Sequence, residues 1–251
     1  MRSNLHPLGQ HISGMAGLVR KRFWTGVGAT AAVALLPLLG CQSVENSAPS
    51  QTEVRVIDAS YNAPAVDVKV GTTTIAANIG AATFTNYAFL PPEDTTAYVY
   101  PTGTGKATAS AVGDFLVSEQ HSVFITDSTS GYTATILTDQ AVTPPTGYFS
   151  IRFLQQAVNV GAVDIYLVPS TGTLSGSKPL FSNVAPGSVE GYANVMAGQY
   201  TIVVTPTGVI TTPYSSSSLT FVAGQVRTAL IMDAQLTTNP PVTVVIGDDL
   251  N

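Results

Sequence analysis

The chain has 251 residues, with ten Lys and Arg against fifteen Asp and Glu and a formal net charge of −5. Without a strongly basic balance it lacks the electrostatic footprint of a protein that binds nucleic acid. It contains one cysteine, so an internal disulfide framework is excluded and stability must come from burial of apolar side chains.

Residues 1–40 have the three parts of a bacterial secretory signal. A positive segment ends at Arg22, residues 23–39 carry no charge, and Gly40 stands directly before Cys41. The pattern predicts a cleaved lipoprotein signal peptide over residues 1–40, with Cys41 as the lipid attachment site. A transmembrane helix is the alternative, but the apolar run is shorter than the roughly 20 residues that cross a bilayer.

The predicted anchor fixes the expected compartment. Lipid chains on Cys41 bind a membrane by burying methylene groups, at about 0.8 kcal/mol each. The residue after the cysteine is Gln42. In enterobacteria-like systems an Asp at this position favours retention at the inner membrane. We therefore expect a lipid-anchored protein of the bacterial cell envelope, at the outer membrane, on its periplasmic or surface face. The sequence leaves Met1 and Met15 open as the start. Without the leader the net charge becomes −9, so we expect a membrane, a protein or a glycan as partner, and no nucleic acid.

The sequence after the leader repeats itself. Residues 54–56 match 151–153 at a shift of 97, and Tyr87 matches Tyr192 at a shift of 105, because eight extra residues fall within 170–179. The matches predict a tandem duplication. With the leader they divide the chain into a signal peptide at 1–40, a lipid-anchored tether at 41–52, a first copy at 53–140, a linker at 141–147 and a second copy at 148–251.

Both copies have the two-residue alternation of β-strands. Val66, Val68 and Val70 alternate with Asp67 and Lys69, and turn-forming residues recur at roughly 8–12-residue spacing. No window of helical length after residue 41 has a convincing 3.6-residue apolar stripe. The predicted fold class is therefore all-β, with two tandem antiparallel β-sandwich (Ig-like) domains.

Residues 54–68 read VRVIDASYNAPAVDV, and this opening resembles that of the DUF4397 family of bacterial domains. The second copy keeps Arg152 and residues 162–165 but has a different turn between them. The resemblance implies a β-sandwich-like fold and a cell-envelope setting. The histidine usual in the family is replaced by Asp58 in the first copy and Gln155 in the second, and the resemblance implies no catalytic residues.

Two Arg–Asp pairs recur at the same spacing of twelve residues. Arg55 and Asp67 lie on the strand faces opposite the inward valines, and Arg152 and Asp164 repeat this in the second copy. If the two strands are antiparallel neighbours, each Arg faces its Asp as a cross-strand ion pair. We predict that both pairs are structural, and we prefer this to the alternative that the aspartates bind a ligand. Exposed ion pairs of this kind contribute only about 0–1 kcal/mol to stability.

We also expect structural roles for two tyrosines and one histidine. Tyr87 and Tyr192 occupy equivalent places in the copies, and we expect corner residues whose hydroxyls bond backbone groups. His121 is the only imidazole after Cys41, and we expect it at a solvated position where a strand begins.

Signals for catalytic or metal chemistry are weak. Carboxylate pairs can hydrolyse glycosides, but nothing in the sequence brings Glu93, Asp94, Asp127, Asp139 or the pair at 248–249 together. There is no zinc-type His/Cys spacing and no EF-hand calcium loop, so no cofactor or metal is predicted. Tyrosines such as Tyr98 and Tyr100 suggest a surface on which sugars stack. The lack of Trp after residue 41 is evidence against such a surface.

The predicted function is a lipid-anchored, non-catalytic binding or structural interaction module of the cell envelope, with recognition by loops at the sandwich ends. The insertion at 170–179 makes the second copy the better candidate for specific contacts. Two alternatives stay open: a hydrolase that acts on envelope polysaccharide or peptide, and an adhesin or surface-assembly subunit.

Overall fold

The computed structural model describes residues 50–129, 131–211, 214–234 and 241–250. The signal peptide predicted over residues 1–40 and the lipid attachment site predicted at Cys41 lie outside these residues. Among the described residues, no helix has both the length and the apolar character needed to span a membrane.

The described residues form eighteen strands and one 3-10 turn, arranged as two lobes. Lobe 1 contains β1 (Thr52–Ala59), β2 (Val66–Val70), β3 (Thr73–Ile79), β4 (Thr83–Phe84), β5 (Ala88–Leu90), β6 (Glu93–Pro101), β7 (Ala109–Phe115), β8 (Gln120–Ser128) and β9 (Gly131–Asp139). Lobe 2 contains β10 (Tyr148–Gln156), β11 (Val163–Pro169), the 3-10 turn (Leu174–Gly176), β12 (Phe181–Val184), β13 (Ala193–Met196), β14 (Gly198–Pro206), β15 (Tyr214–Ser215), β16 (Leu219–Phe221), β17 (Val226–Asp233) and β18 (Val242–Asp248).

Each lobe is a sandwich of an inner and an outer sheet. In lobe 1 the inner sheet has the order β4-β1-β8-β9, with β5 also paired to β1, and the outer sheet has the order β3-β2-β6-β7. In lobe 2 the inner sheet is β13-β10-β17-β18 and the outer sheet is β12-β11-β14-β15, with β16 also paired to β14. The all-β sandwich prediction is confirmed.

One strand pair in each lobe departs from the antiparallel expectation. β1 runs parallel to β8, and β10 runs parallel to β17, while the other pairs between named strands are antiparallel. Parallel neighbours need a long crossover, and the outer-sheet strands supply it. Local alternation of residues therefore could not reveal this pairing.

The sandwich cores follow the alternation seen in the sequence. In β2 the residues Val66, Val68 and Val70 are buried while Asp67 and Lys69 between them are half-buried. Side chains from the facing sheets of each lobe form one continuous apolar cluster. The largest fully buried members of the lobe 2 cluster are Phe149, Ile151, Phe153, Ile165, Ile202 and Ile231.

The inner sheets of the two lobes pack against each other, and we call this contact the seam. Its apolar part joins Ile57, Ala59 and Phe124 of lobe 1 to Leu154 and Leu230 of lobe 2. The four sheets are therefore stacked in layers, and β1 and β10 are buried on both faces. Both lobes belong to one compact unit.

One point of the seam is unusually close. A Cβ atom added to Gly247 in β18 would overlap the aromatic ring of Phe84 in β4. Only glycine leaves room for that ring against the backbone of the other lobe.

The insertion at 170–179 folds against its own lobe. It contains the 3-10 turn, where the Thr173 hydroxyl accepts a hydrogen bond from the Gly176 amide at 3.3 Å. Leu174 packs on Tyr166, Val168 and Val203 on the outer face of lobe 2. The insertion thus covers apolar side chains that would otherwise face solvent.

Candidate functional site

Arg55 lies in the seam and bonds to both lobes. Its side chain is 1% exposed, and its Nη2 donates to Asp249 Oδ1 at 2.5 Å while Nη1 donates to the Asp248 carbonyl at 2.6 Å. Within lobe 1, Nε donates to Ser122 Oγ at 2.9 Å and lies 3.5 Å from Asp139 Oδ2. The ion pair therefore joins β1 of lobe 1 to the end of lobe 2.

Arg152 makes the corresponding contacts in the opposite direction. Its Nε donates to Thr228 Oγ1 at 2.8 Å within lobe 2, Nη1 donates to the Thr138 carbonyl at 3.3 Å, and Nη2 forms an ion pair with Asp139. Each arginine thus reaches the aspartate near the end of the other lobe. We call Arg55, Arg152, Asp139 and Asp249 the seam ion cluster.

Hydroxyl groups complete the coordination of both carboxylates. Asp139 Oδ2 accepts from Ser122 Oγ and from the Tyr87 hydroxyl, each at 2.6 Å. Asp249 Oδ2 accepts from Thr228 Oγ1 and from the Tyr192 hydroxyl, each at 2.5 Å. Buried charges are tolerated only when they are paired and hydrogen-bonded in this way, and here the paired groups come from both lobes.

The two tyrosines hold the arginines as well as the aspartates. The Arg55 guanidinium lies 4.8 Å from the ring centroid of Tyr87, and Arg152 lies at the same distance from Tyr192. Burial, followed by the adjacent carboxylate, raises the pKa of both phenols, so they remain hydrogen-bond donors. The expectation that these hydroxyls bond backbone groups was wrong, because each donates to an aspartate side chain.

The predicted pairs Arg55–Asp67 and Arg152–Asp164 do not form. β1 lies in the inner sheet and β2 in the outer sheet, so the two strands are not neighbours, and Arg55 points into the seam. β10 and β11 are separated in the same way, and the ion-pair partners are Asp139 and Asp249 instead.

Asp67 and Asp164 hold the backbone of equivalent turns. Asp67 Oδ1 accepts from the Asn78 amide at 2.8 Å, and Asp164 Oδ1 accepts from the Asn183 amide at 2.8 Å. Both asparagines have a positive φ, of 52° and 55°, a conformation that Asn tolerates better than most residues. The hydrogen bond from the Asn78 amide, followed by one from the Thr102 hydroxyl, lowers the pKa of Asp67.

Asp58 is a fully buried carboxylate near the end of β1. Its Oδ1 accepts from the Ser60 amide at 2.9 Å and from the Ser60 hydroxyl at 2.5 Å, while Oδ2 is without a partner among the described residues. Burial raises the pKa of Asp58, and the charge of Asp127 adds to this. In lobe 2 the equivalent residue is the neutral Gln155.

Gln155 satisfies its whole amide group in the equivalent turn. Its Oε1 accepts from the Ala157 amide at 2.8 Å, and its Nε2 donates to the Gly161 carbonyl at 3.0 Å. Asp58 and Gln155 thus each hold the turn that follows the first strand of their lobe. In lobe 1 the turn is held by the carboxyl group of Asp58, whose charged form is destabilised by burial.

A cleft opens at the far end of the seam, where β1, β8, β10 and β17 end. It comprises two adjoining hollows of about 360 and 460 Å³ that share Asp127, Gln156 and Val158. We call this the seam cleft. Its other lining residues are Ala59, Tyr61, Asn62, Phe124, Thr126, Thr135, Leu137, Asn159, Pro186, Gly187, Val189, Met232 and Asp233.

The two aspartates of the seam cleft are engaged by backbone amides. Asp127 accepts from the amides of Tyr61 and Asn62 at 2.7 and 3.0 Å. Asp233 accepts from the amides of Val158 and Asn159 at 2.9 and 3.1 Å. Such contacts are typical of aspartates that stabilise turns, so both carboxylates have a structural role at the cleft wall.

Two further carboxylates of the described residues lie close together on the outer sheet of lobe 1. Asp94 faces Asp114 across β6 and β7, and a hydrogen bond that protonated Asp114 donates to Asp94 is the main cause that raises the pKa of Asp114. Both are exposed on the outer sheet. Within the described ranges, no group of three or more His, Cys, Asp or Glu side chains is placed to hold a metal ion.

His121 is buried, so the expected solvated position was wrong. Its ring packs edge-on against Phe115 at 5.2 Å between centroids, and Nε2 lies 3.4 Å from a carboxylate oxygen of Glu119. Burial lowers its pKa. The residue belongs to the end of the lobe 1 core.

Tyr98 and Tyr100 share a face of β6, as the alternation predicted. Their ring centroids are 6.5 Å apart and the rings are inclined by 48°, and Lys69 Nζ lies 5.4 Å from the Tyr100 ring. The inclined rings do not form one flat surface on which a sugar would stack.

Comparisons with known proteins give one family match and distant structural likenesses. A search of the curated proteins found no match. Among solved structures, the chain is similar to a candidate cell adhesion protein from Bacteroides uniformis at 11% identity, covering 79% of this chain and 98% of that one. It is also similar to the TIE protein of Bacillus anthracis at 7% identity, covering 79% and 44%.

A third likeness is to CBMbc (family CBM26) of Amy13K from Eubacterium rectale, in complex with maltoheptaose, at 9% identity over 77% of this chain and 95% of that one. The TM-score is 0.25 in all three cases, so these likenesses are too distant to indicate a function. The family match covers lobe 1, residues 140–147 and lobe 2 as far as β11. Residues 52–166 match the family model described as "Domain of unknown function (DUF4397)".

Proposed function

We propose that this chain is a non-catalytic binding module of the cell envelope, and that a glycan is bound in the seam cleft. The observation that supports this is how the buried charged groups are used. The seam ion cluster and its hydroxyl partners are bonded to one another across the lobes. They hold the scaffold, and the cleft is lined by neutral polar and apolar side chains together with Asp127 and Asp233, whose carboxylates accept hydrogen bonds from backbone amides.

The lining of the cleft favours an uncharged polar ligand. Exposed Asn62 and Asn159 lie at equivalent places on the two lobes, and Gln156 lies between the hollows. A side-chain amide offers both donors and an acceptor, which suits neighbouring sugar hydroxyls. Val158 and Val189 are 68% and 44% exposed and would contact the apolar face of a sugar ring.

Site-specific crosslinking in intact cells tests this proposal. A photoreactive amino acid in place of Val158 is expected to capture a carbohydrate-containing adduct, and substitution of both Asn62 and Asn159 by Ala should reduce its yield several-fold. The matched control is Val112, which is 80% exposed on the outer sheet of lobe 1 and lies outside the cleft.

The outcomes separate the proposal from its rivals. Equal capture at Val158 and Val112, or no adduct at Val158, contradicts a glycan site in the cleft. Capture of a second copy of this chain would favour a surface-assembly subunit. Turnover of the captured glycan by purified protein would favour a hydrolase.

We also propose that Cys41 carries the lipid that holds the module at the outer membrane, as the sequence pattern of residues 1–41 indicates. Cys41→Ser is expected to move most of the protein from the membrane fraction to the soluble fraction. Ser43→Ala, an equally small change two residues further on, should leave the distribution unchanged. Mass spectrometry of the N-terminal peptide that found an unmodified Cys41 thiol would overturn this assignment.

A further inference from the structure

We propose that the end of the protein opposite the seam cleft rests on the lipid surface of the membrane that carries the anchor, so that the cleft points away from that membrane. This inference rests on the proposed lipid at Cys41. We call this end the base, and it is where β1, β8, β10 and β17 begin. Its apolar side chains that are between 47% and 71% exposed are Phe89, Leu116, Val117, Val142, Met196 and Val222.

The inner strands of both lobes begin at the same end. At the base, Ser150 Oγ at the start of β10 donates to Gln140 Oε1, directly after β9, at 3.0 Å. At the other end, Ala59 of β1 and Gln156 of β10 line the same hollow of the cleft. Because β8 has nine residues that each rise about 3.3 Å, the base lies about 30 Å from the cleft.

The chain that follows Cys41 enters the fold at the base. The Gln51 carbonyl accepts from the Ser118 amide at 2.9 Å, directly after exposed Val117. Thr52 stands eleven positions after Cys41, a distance of about 40 Å at most when the chain is fully extended. A lipid on Cys41 would therefore keep the base closer to the membrane than the cleft.

The exposed apolar side chains come from both lobes and from the linker between them. Val117 lies in the turn between β7 and β8, and Val222 begins the corresponding turn between β16 and β17. In the linker, Gln140 Nε2 donates to the Val142 carbonyl at 2.8 Å and fixes the backbone there. Contact with a lipid surface would remove these side chains from water, which is favourable.

The charged groups near the base select the kind of lipid. Asp94 and Asp114 are exposed at the base end of the outer sheet of lobe 1, while Arg227 and Asp248 of lobe 2 form an ion pair with each other. The negative surface potential of anionic lipids would repel the two unpaired carboxylates. A surface of zwitterionic phospholipid therefore fits the base better than an anionic one.

The test measures which end of the protein lies at the lipid. The lipid-modified full chain is placed in phosphatidylcholine vesicles that contain a nitroxide-labelled lipid, and a fluorophore is attached to one introduced cysteine. Lipid on Cys41, the one native cysteine, leaves the introduced thiol as the site of labelling. We expect quenching to be several-fold stronger for Val142→Cys and Val222→Cys at the base than for the controls Val158→Cys in the cleft and Val209→Cys beyond the far end of β14.

A second measurement separates apolar contact from proximity imposed by the short tether. With the fluorophore at Leu116→Cys, the double variant Val142→Asp with Val222→Asp should lower quenching several-fold, because carboxylates are costly to bury in lipid. Val209→Asp is the control and should leave quenching unchanged.

The outcomes distinguish the anchor from the orientation. Protein that does not remain on the vesicles would overturn the proposed anchor and this inference with it. Protein that remains, but is quenched equally at both ends or is unaffected by the double Asp variant, would overturn this inference alone.

Discussion

Asp139→Asn is expected to lower the free energy of unfolding by about 3–5 kcal/mol, because removal of one partner from a buried ion pair leaves the other charge without compensation. Asp139 is fully buried and bonds to Arg152 of the other lobe, to Tyr87 and to Ser122. Urea denaturation followed by fluorescence or circular dichroism measures the change.

The control is Asp114→Asn, the same chemical change at an exposed site on β7. It should not destabilise the protein, because it removes a charge that faces Asp94 across β6 and β7. A further comparison uses the double variant Asp139→Asn with Arg152→Met, which removes both charges. Its cost should be smaller than the sum of the two single costs. If Asp139→Asn behaves like Asp114→Asn, the seam ion cluster does not hold the lobes together.

Asp58→Asn is expected to stabilise the protein at neutral pH. Burial raises the pKa of Asp58 above its ordinary value of 3.8, so the unfolded chain loses its proton at a lower pH than the folded chain. At a pH well below 3.8 the carboxyl group is protonated in both the folded and the unfolded chain, so it does not change the free energy of unfolding. As the pH rises towards the raised pKa, the folded state is destabilised by about 1.4 kcal/mol for each unit of the pKa difference.

The advantage of Asp58→Asn should therefore be absent at low pH, grow as the pH rises above 3.8 and level off above the raised pKa. Asp67→Asn is a matched comparison of opposite sign. Its pKa is lowered by hydrogen bonds, so its ionised form contributes stability that is lost as the pH falls through the lowered value. An Asp58→Asn variant that is less stable than the parent at neutral pH would show that the carboxylate is preferred there.

The sheets could be predicted from sequence because their signals are local. The alternation of Val66, Val68 and Val70 with polar residues matches the burial seen in β2, and the spacing of turn residues matches the short strands. The parallel pairs β1–β8 and β10–β17 could not be predicted in this way. They join residues about 70 positions apart, such as Arg55 and Ser122, and no local pattern reports on such a pairing.

The seam was missed for a related reason. Arg55 was placed correctly on the face opposite the core, but its partner was sought twelve residues away, whereas it lies 194 residues away at Asp249. The repeat did contain a signal. Ser122 and Thr228 occupy equivalent strands, and Asp139 and Asp249 each stand near the end of their copy. A search for polar residues kept in both copies and otherwise unexplained would have grouped them.

The close contact between Gly247 and Phe84 has a consequence for any molecule that enters the cleft. A ring lodged against bare backbone prevents the two inner sheets from sliding past each other, which fixes the gap between the lobes. If the seam cleft binds a glycan as proposed, its walls are then preorganised, and a ligand that fits would not spend affinity on ordering them. The same rigidity would reject a molecule slightly too wide, so in the proposed site selectivity by size would follow from the absence of a side chain at Gly247.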